Sequence, residues 1–309
     1  MRVVLETTHL SHIGGAENYL MRLAMALDDR SSFYIEANWP SDFNRYNGFG
    51  RKFEPYSGMW EPDVYIHCSH FSRSAPIGHR NYEVCLFPKV ALKPEGYDGV
   101  ISICDYTASY VQQLWGMESV VIEPCVDPSL YSIAPKEKKI VSIGHFFEEE
   151  DGHSKNQHIL AEAFTLTGEG YELVLIGNSN RGDENYLRKV RKASNGKRIR
   201  IEANADQSFV KKELSTASHL WHANGFQRSD PAQTEHFGII ALEAIASGVV
   251  PIVHKSGGCA SIDGVNTWEQ PEDLGRLTRL VQGIPSLSPR YTVGHFNQGV
   301  GRWLSSISI

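Results

Sequence analysis

No stretch of this 309-residue sequence approaches the roughly 18 apolar residues that a membrane-spanning helix requires, and the apolar run after Met1 is too short for the core of a signal peptide. The expectation is a cytoplasmic protein whose contact with a membrane, where there is one, is peripheral. Cysteine is scarce. Cys68, Cys85, Cys104, Cys125 and Cys259 are odd in number and widely separated, which argues against a disulfide framework and against the close Cys/His pairs of a zinc site. Buried, reduced thiols are the simplest reading. Positive charge is not in excess either: 30 Lys and Arg stand against 36 Asp and Glu, a net charge of -6. Nothing in that balance draws the chain to nucleic acid, which is not expected as a partner. Walker loops, lipase elbows and zinc-protease motifs are absent.

What is present is alternation. Short apolar runs at 2–5, 64–67, 83–87, 99–103 and 120–122, and again at 139–143, 172–176, 199–202, 219–222 and 250–253, read as strands. Segments of helical period at 18–27, 108–114, 159–164, 185–193, 209–217 and 238–247 fall between them. Strands alternating with helices predict parallel sheets, and the length suits two such α/β domains better than one. Pro124, Pro128 and Pro135 followed by Lys136-Glu137-Lys138 mark the change of domain within 124–138. A last helix over 293–305 carries Phe296, Val300, Trp303 and Leu304 on one face, so it needs an apolar surface to cover.

The most informative stretch runs from Glu235-His236-Phe237-Gly238-Ile239 through Ala241-Leu242-Glu243 to Pro251-Ile252-Val253. A helix that is apolar on nearly every side carries Glu243, and a carboxylate there is costly without a partner, so a cavity is expected to face it. Glu235 precedes the helix. At about 1.5 Å rise per residue the two carboxylates lie on the order of 10 Å apart, with the free N–H groups and positive dipole end of the helix between them. That arrangement suits a diphosphate, with a glutamate for hydroxyls on either side. The alternative is that Glu235 only stabilises the helix dipole and Glu243 pairs with an interior cation.

This stretch, with the Ser256-Gly257-Gly258 turn after it, closely resembles the Glu-x7-Glu signature of family 4 retaining glycosyltransferases. Gly14-Gly15 before a helix resembles that family's N-terminal glycine loop. Gly144-His145, with Lys155-Asn156-Gln157 further on, looks like its Gly-Arg turn and Lys-Asn helix start, with His145 where the family usually has Arg. The segments 63–70, Leu86-Phe87-Pro88 and 219–226 resemble a subgroup of it. The resemblance implies two Rossmann-like domains of the GT-B type facing a cleft. Residues 1–130 would take the acceptor, 131–290 the donor, and 291–309 would form a helix packing back on the first domain.

By the same resemblance Glu235 contacts the transferred sugar, Glu243 the ribose, and Lys155 with His145 the pyrophosphate. Gly14, Gly15, Phe237, Gly238 and Ile239 complete the donor site. Many relatives have a histidine near the reaction centre in the first domain, and none follows the strand ending at Pro88. His70, on a neighbouring strand end with His67, is the catalytic candidate there beside Glu235 and Lys155, although a histidine at either place is more often a hydrogen-bonded core or rim residue. The implied reaction is transfer from a UDP- or GDP-sugar to a hydroxyl of a sugar, lipid-linked or other acceptor, with retention. No cofactor and no metal are expected, and no Asp-x-Asp pair is present to hold one. A non-catalytic sugar-nucleotide or glycan-binding relative, or an epimerase of the same fold, are the alternatives that His145 keeps open. The basic run Arg188–Lys192 with Lys197, Arg198 and Arg200 reads as a solvated face before it reads as an anion site.

Overall fold

The computed structural model describes residues 1–7, 15–27, 31–35, 56–69, 72–149 and 154–307. The chain divides into two compact units, one of Met1–Cys125 with Arg290–Ile309, the other of Val126–Pro289. Both are α/β, and every strand pairing in either sheet is parallel.

In the first unit β1 (Val3–Thr7), α1 (Gly15–Ala26), β2 (Ser31–Ile35), β3 (Val64–Cys68), β4 (Arg80–Cys85), β5 (Gly99–Ser102), α2 (Asp105–Trp115) and β6 (Ser119–Val121) form a sheet of order β2-β1-β3-β4-β5-β6. All five residues of β1 and of β3 are buried, which is what continuous apolar strands covered on both faces require. His67 is among them, with no exposed surface. Its Nδ1 lies 2.7 Å from the carboxylate of Glu83, its register partner on β4, and the Arg73 guanidinium pairs with the same oxygen. His67 is therefore a core histidine and lines no surface. His70 and Gly14 lie outside the described residues.

The second unit runs β7 (Glu137–Ile143), α3 (Gln157–Ala163), β8 (Glu172–Gly177), α4 (Glu184–Ser194), β9 (Ile199–Ala203), α5 (Gln207–Thr216), β10 (Ala217–His222), α6 (Ile239–Ala246), β11 (Val250–His254), β12 (Asn266–Trp268) and α7 (Pro271–Leu280). Its sheet has the order β12-β11-β10-β7-β8-β9. Successive residues of each strand feed opposite faces: Ile140, Leu173, Leu175 and Trp221 join one core with Leu160, Leu187 and Leu274, while Val141, Val174, Ile176 and Leu220 join the other with Leu214 and Ala244. The chain then re-enters the first unit, where α8 (Val293–Ser306) lays Phe296, Val300 and Trp303 inward. The Phe296 ring meets the edge of Tyr19 on α1 at 5.7 Å, and Trp303 meets Tyr82 at 5.1 Å.

Several element bounds differ from the pattern reading. Strand β4 stops at Cys85 rather than at 87, because the Leu86 carbonyl accepts from the Thr107 hydroxyl instead of continuing the ladder. Elements β2, β12 and α7 are additional. Helix α7 opens on a capping box in which Gln270 and Asp273 satisfy each other's backbone N–H groups, with Pro271 at the first position. The five cysteines are free and buried. Among the described residues no helix is long and apolar enough to cross a membrane.

Candidate functional site

In the second unit the carboxyl ends of β7, β10 and β11 are parallel strand ends of the kind at which open α/β sheets hold ligands. Beyond β7, Gly144 and Gly177 bring two chain segments so close that a Cβ on Gly177 would lie 1.9 Å from the Gly144 carbonyl oxygen. The chain then reaches Lys155. Helix α3 begins only at Gln157, capped by Asn156 in the left-handed conformation at φ 56°, so Lys155 precedes the cap and is not in the first turn. The dipole penalty expected for a first-turn lysine does not apply to it. Asn156 is fixed by its Nδ2, which donates to the carbonyls of Ala223 and Phe226, and this anchors the lysine beside it.

Lys155 Nζ is 2.7 Å from Oε2 of Glu235. His222, the last residue of β10, brings Nε2 to 2.9 Å of the same oxygen, and Asn224 Nδ2 donates to it at 3.1 Å. The side-chain hydrogen bonds and ion pairs of Glu235 to the described residues all fall on Oε2, while its backbone carbonyl accepts from the Cys259 N–H. Burial alone would raise this carboxyl's pKa, but the Lys155 ammonium and the His222 contact outweigh it and hold the group well below the usual range. It is an anion at any physiological pH.

The backbone around Glu235 is shaped by close approach. A Cβ on Gly257 (φ 69°) would fall 2.2 Å from the Glu235 carbonyl oxygen, and one on Gly238 (φ 84°) 2.6 Å from Cys259 Sγ. Only glycine fits at either place. Gly238 is also the N-cap of α6, where no side chain caps the helix; the Ala241 N–H turns back to the Gly238 carbonyl, which leaves the Ile239 and Ile240 N–H groups without a capping side chain. Phe237 is buried and Ile239 half-buried.

Glu243 sits inside α6, half-buried, with Oε1 accepting from the Tyr131 hydroxyl at 3.0 Å. Its hydrogen-bond partner is a phenol, and Lys211, which also lies over the Tyr131 ring, acts on it electrostatically. Burial pushes its carboxyl upward, with Tyr131 offsetting part of the effect. His145 is the other departure: its Nε2 lies 2.7 Å from Asp183, so a carboxylate already occupies one face of the imidazole. Gly15 is the first residue of α1 in the first unit. The structure thus gathers Lys155, Glu235 and Gly238, and gives His145 and Glu243 partners of their own.

His222, Asn224 and Asp183 carried no role in the sequence reading. A polar residue closing the apolar pair Leu220-Trp221 was the available signal for His222, and His254 closes β11 in the same way, its Nδ1 2.8 Å from Ser256 Oγ. The basic run is partly engaged: Lys189 pairs with Glu148, Arg200 with Glu172, Glu202 and Glu213, and Lys197 caps the Ala161 carbonyl.

Residues 131–266 match the family model described as "Glycosyl transferases group 1". The chain is 31% identical over 169 residues to GDP-Man:Man(3)GlcNAc(2)-PP-Dol alpha-1,2-mannosyltransferase of Xenopus laevis, covering 50% of this chain and 33% of that protein. The mouse protein of the same description is 30% identical over 178 residues, with 52% of this chain and 35% of the relative covered. The match therefore spans about a third of each of these relatives. Among solved structures, Anabaena HepE in complex with UDP and glucose superposes with a TM-score of 0.75 at 16% identity, covering 99% of this chain and 100% of the other. The lipopolysaccharide outer core galactosyltransferase WaaB gives 0.69 at 12% identity, covering 99% of each chain. At such identities the likeness establishes the fold, two Rossmann-like units of the GT-B type.

Proposed function

We propose that this chain is a glycosyltransferase of the family 4 type that moves a sugar from a nucleoside-diphosphate sugar to an acceptor hydroxyl with retention of configuration. The observation that carries this reading is the Lys155–Glu235 pair beside the uncapped N-terminus of α6, inside the stretch that matches the group 1 transferase model. A diphosphate placed there meets an ammonium and free backbone N–H groups, so the charge that develops as it leaves is compensated without reorganisation. The C1–O bond to the diphosphate breaks with its electron pair going to phosphate. The acceptor oxygen bonds C1 on the same face, and its proton passes to a diphosphate oxygen. Glu235, being anionic, accepts from hydroxyls of the transferred sugar, and Glu243 accepts from the ribose.

The relatives named for GDP-mannose and the neighbour bound to UDP support a UDP- or GDP-sugar donor, and the description of the relatives supports a glycan or lipid-linked acceptor. We place the work of such an enzyme in the cytoplasm, with peripheral membrane contact. The test is a thermal-shift and turnover screen of UDP- and GDP-sugars. One donor class should stabilise the protein by about 2.7 kcal/mol at 100 times its Kd and release nucleoside diphosphate slowly. NMR of the glycoside formed should show the donor's anomeric configuration. EDTA should leave the rate unchanged; loss of activity restored by Mn2+ or Mg2+ overturns the metal-independent reading.

A further inference from the structure

Three donors converge on one oxygen of Glu235: Lys155 Nζ at 2.7 Å, His222 Nε2 at 2.9 Å and Asn224 Nδ2 at 3.1 Å. A carboxylate oxygen offers about two lone-pair directions, so one of the three is surplus to holding it. They differ in their freedom to leave. His222 and Asn224 are buried, whereas Lys155 keeps 23% of its side chain exposed and carries its charge on a long flexible stem.

The two buried donors come from one short stretch, the end of β10 and the loop after it, and other elements pin that stretch in place. Trp268 Nε1 donates to the His222 carbonyl at 3.0 Å, and Asn156 Nδ2 donates to the carbonyls of Ala223 and Phe226. Gly225 (φ 89°) lets the loop lie against the segment that leads to Glu235: a Cβ there would fall 2.3 Å from Ser256 Oγ and 3.3 Å from Thr234 Cα. Asn224 is kept at a cost, since its Oδ1 is buried with no hydrogen-bond partner among the described residues. Its amide serves Glu235 better than it serves itself. Glu235 is ionised and can only accept, so the His222 hydrogen that meets it sits on Nε2, which fixes the ring's orientation.

We propose that His222 and Asn224 are positioning residues that hold Glu235 in place while Lys155 is drawn to the donor's diphosphate. This rests on the transferase reading and names the groups on which its turnover depends. Were Lys155 the sole anchor, glutamate and diphosphate would compete for one ammonium, and the arriving donor would loosen the carboxylate that must meet the transferred sugar. With two fixed donors behind it, Glu235 keeps its place as the lysine shifts. The mobile cation serves the phosphate and the rigid strand end serves the carboxylate.

Turnover of the UDP- or GDP-sugar and isothermal titration of UDP and GDP, both on the full chain, test this through substitutions at one position. His222→Ala should lower kcat by about ten-fold or more, the worth of a hydrogen bond to a charged group, while the Kd of UDP or GDP stays within about three-fold. His222→Gln, whose amide nitrogen reaches the place of Nε2, should restore kcat. His222→Asn, whose amide ends nearer the place of Nδ1, should not. Loss of nucleotide affinity in step with kcat, or no advantage of Gln over Asn, gives the histidine a packing role only and overturns the proposal. A second readout needs no turnover: in NMR of the chain labelled at its histidine nitrogens, the Nε2–H signal of His222, assigned by its absence in His222→Gln, should persist in Lys155→Met and be lost in Glu235→Ala. Its loss in Lys155→Met makes the lysine the anchor and equally overturns the proposal. An unaltered chain that neither turns over nor binds a UDP- or GDP-sugar removes the transferase reading, and this signal then decides by itself whether the end of β10 holds Glu235.

Discussion

Each unit holds a carboxylate between a histidine and a cation, and the two arrangements differ in what water can reach. In the first unit Glu83 lies between His67 and Arg73, with side-chain exposures of 2%, 0% and 12%. In the second, Glu235 lies between His222 and Lys155, with 19%, 4% and 23%. The residue types are nearly the same and the electrostatic outcomes are opposite. Burial raises the Glu83 carboxyl in spite of its partners, whereas the partners of Glu235 outweigh burial and lower it. A dry triad joins two strands and has nothing to exchange with. On the proposed reading, a partly wet one can share its lysine with an incoming diphosphate at small cost, because water screens the intermediate state. Access to solvent, more than residue identity, separates the structural cluster from the chemical one.

The sharpest way to break this comparison is to remove each carboxylate. Glu83→Ala leaves a guanidinium unpaired in the interior and should cost about 3–5 kcal/mol. Glu235→Ala should cost no more than about 1 kcal/mol in stability while lowering transfer by roughly 10²–10³. Hydrogen exchange read separately for each unit measures the two, since a two-unit chain need not unfold in one step; equal stability losses would dissolve the distinction. Next, Lys155→Met should weaken UDP or GDP binding by about 10- to 100-fold, the worth of a charged hydrogen bond, with little change in melting. An unchanged nucleotide Kd would remove the lysine from the diphosphate site.

The smallest effect concerns Glu243, whose folded pKa is raised by burial. Between the usual glutamate range and that raised value the folded state binds more protons than the unfolded chain, so stability falls as pH rises through the window. Glu243→Gln should flatten that slope. It should also bind ribo- and 2′-deoxyribonucleotides alike, where the unaltered protein is expected to prefer ribose by about 5- to 10-fold, and a preference preserved in the variant would remove the ribose assignment.

The strands of both sheets were legible because buried parallel strands are continuous apolar runs. Strands β2 and β12 were not, and β12 has three residues with only Trp268 buried among them. Helix α7 was hidden by Gly275, tolerated because its Cα packs where a Cβ would come 2.2 Å from the Leu166 carbonyl oxygen, although its capping box was there to be read. At the site, Glu235 and Lys155 could be named from spacing, but not that they face each other across 80 residues. The hold of His222 on Glu235 comes from where β10 ends, and the hold of Asp183 on His145 from the loop after β8; the polar strand end marks His222 in the sequence, but both pairings are properties of the folded sheet.

The first unit is not finished until its last helix is made. Residues 1–125 leave the ribosome first, yet the surface formed by Tyr19 and Tyr82 waits for Phe296 and Trp303, which follow all of Val126–Pro289. At about 5–20 residues per second that interval is roughly 8–33 s, during which the second unit, being continuous in sequence, can complete itself. The half-built first unit must meanwhile keep an aromatic face from its neighbours. Removing α8 would therefore strike the earliest-made part of the chain and leave the continuous second unit with its own core complete.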